Sequence, residues 1–246
     1  MKNNLFIRIF KIRKDNVFVH IISNIIILCL LLCFYIGCLE SAAVPTAAAP
    51  IYRGDASQKK VCLMVNVYWG EEYIPQMLDI FEKYNAKCTF FVGGCWAAKN
   101  IPLLKTMALD HEIGNHGYLH KDHRKLSVKE NTDEILVCEK LIYEATGQKT
   151  CLFAPPSGSI GENMLSVCAQ LGYKVIMWSK DTIDWRDNDY QLVYKRATKD
   201  LQNGDLILMH PMPHTVKALP MILEYYAQYG FKTVTVGQMV NVADMH

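Results

Sequence analysis

This chain has almost no excess of either charge. Lys and Arg number 26 against 24 Asp and Glu, a formal net charge of +2 over 246 residues. Residues 1–49 hold five Lys/Arg and two Asp/Glu, which is +3, so by subtraction the rest carries about −1. No basic stripe remains to neutralise phosphates, which excludes nucleic acid as the expected partner. The nine cysteines also lack the short paired spacings of a zinc cluster. Cys29, Cys33 and Cys38 lie in an apolar leader, and Cys62, Cys88, Cys95, Cys138, Cys151 and Cys168 read mostly as small core residues, with a disulfide between neighbouring strands as the alternative. Internal repeats and low-complexity tracts are absent. With 51% hydrophobic and 20% charged residues, the chain has the balance of a protein that buries a full core.

The one long apolar run is at the start. Lys2, Arg8, Lys11, Arg13 and Lys14 form a positive head, Ile25 to Leu39 is almost purely apolar, and small residues follow from Ser41 through Ala49. That order describes a secretory signal peptide. If His20 and Asn24 are tolerated, Val17 to Leu39 is also long enough to cross a bilayer as an uncleaved membrane anchor. Either way the N-terminal segment engages membrane or secretion machinery, and the remainder is extracellular or held at the cell surface. The stretch from Pro45 to Lys60 is rich in Ala and polar side chains, and its residues 50–60 read as a linker to a domain over 61–246.

Within that domain two periodicities alternate. Strand-like runs fall at Val61–Val67, Cys88–Val92, Glu112–Asn115, Cys151–Ala154, Lys174–Trp178, Leu206–Met209 and Phe231–Val234. Helical stretches fall at Glu71–Tyr84, Ala97–Leu109, Ser127–Ala145, Glu162–Leu171, Tyr190–Leu201 and Thr215–Tyr229. Ser127 followed by Glu130 is the signature of a capping box. Seven βα-like units predict an α/β protein with a parallel sheet. The unusual polar residues all follow strands: Asn66–Gly70, His116 and His120, Pro155–Gly158, Asp181–Trp185 and His210. In a parallel barrel this is the rim on which loops from several strands assemble an active site.

His116 and His120, four apart where apolar sequence gives way to glycine-containing loop, can turn toward one spot and hold a divalent metal. A proline follows His210 and biases it to extended backbone, fixing where its ring leaves the strand. Asp181 and Asp184 flank a turn ending in Trp185, and Ala154-Pro-Pro-Ser-Gly158 sets a rigid turn whose first free backbone N–H after Pro156 belongs to Ser157. His214 reads as a surface residue and Trp69 as a packing residue.

Taken together, these segments resemble the polysaccharide deacetylase family (NodB-homology, carbohydrate esterase 4) over about residues 58–240. His116-Gly-Tyr-Leu-His120 corresponds to the family's His-Ser/Thr-x-x-His, Ala154-Pro-Pro-Ser-Gly158 to Arg-x-Pro-x-Gly, Asp181-Thr-Ile-Asp184-Trp185 to the fourth motif, and Leu208-Met-His210 to the fifth. The resemblance implies a distorted (β/α)7 barrel of the TIM type. It also implies a divalent metal, usually zinc, that serves removal of acetyl groups from a peptidoglycan- or chitin-like polysaccharide. In that scheme His116 and His120 are metal ligands, His210 is the general acid oriented by Asp184, the Ser157 N–H stabilises the oxyanion, and Trp185 and Pro156 border the substrate groove.

Two departures belong to one subsystem. Where typical members have Thr-Phe-Asp-Asp-Gly, carrying the base and a metal ligand, this chain has Val65-Asn-Val-Tyr-Trp-Gly70, and the third-motif arginine is Ala154. Glu72, with Glu71 beside it, is then the expected replacement ligand or base, and Asn66 the expected side chain to coordinate or position water. The other outcome is an inactive glycan-binding protein on the same fold.

Overall fold

A computed structural model of the protein describes residues 3–39 and 47–241, with side chains over 17–35 and 47–241. The positive head, Cys38 and most of the small-residue stretch before 47 lie outside the described side chains. The chain divides into two units. The first contains helix α1, Asn3–Leu39. Its segment Val17–Tyr35 is 19 residues with none buried, long and apolar enough to cross a membrane.

The second unit alternates strands and helices in chain order: β1 Lys60–Val67, α2 Ile74–Lys83, β2 Thr89–Val92, α3 Gly94–Lys99, α4 Ile101–Asp110, β3 Glu112–Asn115, α5 Val128–Thr146, β4 Leu152–Phe153, α6 Glu162–Gln170, β5 Lys174–Val175, β6 Lys180–Asp181, α7 Tyr190–Thr198, β7 Leu206–Met209, α8 Pro213–Gln228, β8 Lys232–Thr233 and α9 Val236–Met239. Every strand pairing is parallel, in the order β5-β4-β3-β2-β1-β7-β6, with β8 also on β1. This curled sheet wrapped by helices is the expected α/β barrel type.

Side chains of a strand alternate between faces, and on β1 the alternation separates two cores. Val61, Leu63, Val65 and Val67 join the cluster under the helices with Phe81, Phe90, Leu104 and Ile222, whereas Cys62 and Met64 join a second cluster inside the barrel with Phe91, Leu152, Ile176 and Leu206. Asn66 continues the parity of Cys62 and Met64, so it points into the barrel at its carboxyl end. His210 continues the parity of Leu206 and Leu208 in the same way. The cysteines of this unit are free thiols, with Cys62, Cys88, Cys138, Cys151 and Cys168 buried.

Several expectations change in detail. The helix expected over Ala97–Leu109 is broken at Asn100, whose side chain donates to the Trp96 carbonyl while Pro102 opens a new first turn. The strand expected over Lys174–Trp178 ends at Val175, and β6 is an added short strand. Residues 50–60 are not a free linker. Ile51 bridges Ile176 and receives the Met177 N–H, while Arg53 forms a 2.9 Å ion pair with the fully buried Asp205. The segment covers the open edge of β5, whose backbone groups would otherwise lack partners.

Candidate functional site

The rim at the carboxyl ends of the strands holds a cavity of about 330 Å³ lined by Asn66, Trp69, His116, His120, Ser157, Trp178, Asp181, Trp185, Leu208 and His210. Three of the chain's four tryptophans are here. A larger cavity, about 650 Å³, opens at the amino ends of β2 and β3 around His111 and gathers none of these side chains.

His116 is buried at the end of β3. Its Nδ1 lies 2.7 Å from the Ala154 carbonyl, which can only accept, so Nδ1 carries the hydrogen and Nε2 keeps its lone pair. Burial holds the ring neutral, its pKa lowered to about 3. His120 stands edge-to-face with it, ring centroids 5.1 Å apart, and burial lowers its pKa as well. The loop between them turns through two left-handed residues, Gly117 (φ 73°) and His120 (φ 55°). It is tied from below by Glu134 on α5, whose buried carboxylate accepts the N–H groups of Tyr118 at 2.9 Å and Leu119 at 2.7 Å.

His210 and Asp184 form the second constellation. Asp184 is fully buried. Its Oδ1 accepts Nδ1 of His210 at 2.8 Å, and its Oδ2 accepts the His210 backbone N–H at 2.6 Å and the Thr215 hydroxyl at 2.7 Å. His214 donates through Nε2 to the Asp184 carbonyl at 2.7 Å, so it is a buried brace of this turn and not the surface residue expected. The carboxylate thus fixes both the tautomer and the orientation of the His210 ring, leaving Nε2 as the available edge.

On the face of that ring lies Trp69, stacked with centroids 5.6 Å apart and planes 7° from parallel, and 6.4 Å from the His120 ring. Counted back from Gly70, Tyr68 and Trp69 occupy the two aspartate positions of the first motif. Tyr68 packs on His120 at 4.7 Å. Trp69 is therefore a wall of the cavity and not simple packing. Its indole N–H is directed to Met212 Sδ at 3.4 Å, which leaves the ring face to the cavity.

The remaining expected residues divide. Ser157, left-handed at φ 54°, and Trp185 line the cavity. Gly158 permits Trp178 to lie beneath the same turn, since a Cβ there would press on the indole. Asn66 is buried with Oδ1 unpartnered. Pro156, in contrast, is buried under its turn and does not line the cavity, because the left-handed step at Ser157 turns the chain outward only after it. Glu72 is also outside: the β1–α2 connection closes through the Tyr73 N–H to the Gly70 carbonyl, which leaves Glu71 and Glu72 exposed to solvent. Asp181 sits at the cavity, where burial raises its pKa, with Oδ1 accepting the Ile183 N–H.

These donors do not fit a catalytic zinc. Such a site takes three protein ligands and a water. His116 and His120 supply two imidazoles, but the positions that would bring a carboxylate are Tyr68 and Trp69. Among the described residues no group of three or more His, Cys, Asp or Glu is arranged to hold a metal ion.

A curled parallel α/β barrel with this histidine pair and an aspartate-braced histidine on one rim defines the class of the carbohydrate esterase 4 deacetylases. The family model for polysaccharide deacetylase matches residues 53–176, and the chain belongs to that family as a divergent member lacking the first-motif aspartates and the third-motif arginine. YlxY of Bacillus subtilis is 35% identical over 78% of this chain, which spans 60% of that protein's length. A peptidoglycan-N-acetylglucosamine deacetylase of Bacillus cereus is 30% identical over 68% of this chain and 82% of its own. Among solved structures, BA3943 of Bacillus anthracis, a CE4 family pseudoenzyme, superposes with a TM-score of 0.76 at 35% identity, covering 78% of this chain and 69% of that one. A mutant of BA3943 has restored enzymatic activity.

Proposed function

We propose that this chain is a glycan-binding member of the polysaccharide deacetylase family that keeps the substrate cleft but not a complete hydrolytic centre. The observation that carries the reading is Trp69, stacked on His210 at 5.6 Å in a position where the family places a carboxylate. An indole neither ligates a divalent cation nor takes a proton from water, but its face packs well on a sugar ring. Trp178 and Trp185 add two more aromatic walls. Relatives that act on peptidoglycan, together with the BA3943 pseudoenzyme, point to a cell-wall glycan as the partner. The apolar helix α1, as signal or anchor, would deliver the domain to that wall.

A second reading, a slow metal-dependent deacetylase, is favoured by the intact Asp184–His210 pair, which a pure binder does not need. In that reading His210 would donate the proton to the departing amine.

The two are separated by incubating the full chain with peptidoglycan and chitin oligomers under zinc, cobalt or manganese and measuring acetate alongside calorimetric binding. Saturable binding without acetate is the expected result. Acetate release that His116→Ala abolishes would establish the second reading instead.

A further inference from the structure

We propose that the preferred occupant of the rim cavity is a glucosamine unit in its de-N-acetylated, ammonium-bearing form, so that the protein recognises the product of deacetylation and not its substrate. This deepens the glycan-binding reading and rests on it.

The inference follows from what lines the cavity and what does not. No Lys or Arg is among the lining residues, and one carboxylate is, Asp181. Its Oδ1 is engaged by the Ile183 N–H while Oδ2 has no hydrogen bond among the described residues. His116 offers Nε2 as an acceptor because Nδ1 is committed to the Ala154 carbonyl, and His210 offers Nε2 because Asp184 holds its Nδ1–H. The Asn66 amide makes no hydrogen bond among the described residues and can turn either edge to a ligand. Trp69, Trp178 and Trp185 contribute aromatic faces, and the one indole N–H with an assigned partner, that of Trp69, is turned to Met212.

An acceptor-rich, aromatic, singly acidic pocket matches a cation with several N–H donors. An ammonium can donate to the carboxylate and an imidazole while resting on an indole face. An acetamide presents the opposite demand: its carbonyl needs donors, and the lining holds no Lys or Arg to supply a charged one. Acylation also draws the nitrogen lone pair into the amide, so the acetylated sugar lacks the charge that Asp181 would neutralise.

The test measures binding of the full chain to glucosamine tetramer and to N-acetylglucosamine tetramer by calorimetry, with EDTA present so that no metal contributes. The expected result is a preference for the glucosamine oligomer of at least about tenfold, the scale of one charge-assisted hydrogen bond. Asp181→Asn should abolish the preference while circular dichroism and melting temperature report an intact fold. Equal affinities, or preference for the acetylated oligomer, would overturn the inference and leave the glycan-binding reading standing. Binding of neither oligomer would overturn both. The wild-type comparison alone decides the matter if the variant does not fold.

Discussion

Glu134 holds Leu119 in place: its buried carboxylate accepts the Leu119 N–H at 2.7 Å and, through the same oxygen, the Tyr118 N–H at 2.9 Å. Lys121 completes the charge balance at 3.3 Å. A side chain on α5 therefore sets the shape of the loop carrying His116 and His120. Glu134→Gln should loosen that loop and cost about 1–3 kcal/mol, the penalty for poorly satisfied buried groups. Hydrogen exchange of residues 117–121 should accelerate while β1 and β7 stay protected. Unchanged protection there would remove Glu134 from this role.

Asp184 is the most heavily committed carboxylate of the rim, with three hydrogen bonds to its side chain. Asp184→Ala, which strands the His210 and Thr215 donors in a buried site, should destabilise by about 3–5 kcal/mol. Asp184→Asn keeps the shape and one acceptor and should cost less, about 1–3 kcal/mol. Urea denaturation of both variants checks the order, and equal stability of the Ala variant and wild type would contradict the bonding described.

The first-motif substitutions can be reversed. Replacing Tyr68 and Trp69 by Asp, with Ala154→Arg, supplies the ligand, the base and its orienting cation. Zinc binding by calorimetry should appear, followed by acetate release, with general-base assistance on the scale of about 10² to 10⁴ in rate. Absence of metal binding in a folded triple variant would mean that more than these positions separates this site from an active one.

Acid should weaken the fold through histidine. Burial lowers His116 to about 3 and His111 to about 4, from an ordinary value of 6.5. Between 6.5 and those lower values the unfolded chain takes up protons that the folded chain refuses, so stability is full above 6.5 and falls as the pH drops. The melting temperature should be lower at pH 5 than at pH 7.5. His111 packs between Phe81 and Phe90, at 5.2 and 5.4 Å, so His111→Phe should narrow that difference. An identical pH difference in the variant would assign the acid sensitivity elsewhere.

Much of this molecule is written in local sequence. Period-two apolar runs separated by helical stretches specify a parallel α/β barrel, and polar residues after β1, β3, β4 and β7 mark its working rim, because a strand's last residues must emerge there. Asn66, His116 and His210 face one cavity for the same reason of parity. The helix break at Asn100, missed in expecting one helix over Ala97–Leu109, has a local signal in Asn100-Ile-Pro102. Glu134 left a signal too, as an acid in the buried stripe Asn131, Glu134, Ile135, Cys138 and Ile142.

Other features depended on contacts between distant segments. No local pattern tells that Trp69 stacks on His210, that Thr215 and His214 brace Asp184, that Trp178 forms a wall, or that Ile51 and Arg53 cover the sheet edge. The same limit explains Glu72 and Pro156: their chemistry suits a site, but the turns carrying them direct one to solvent and bury the other. Residue type and period define which groups a strand can present, whereas the packing of loops from separate strands decides which of them meet.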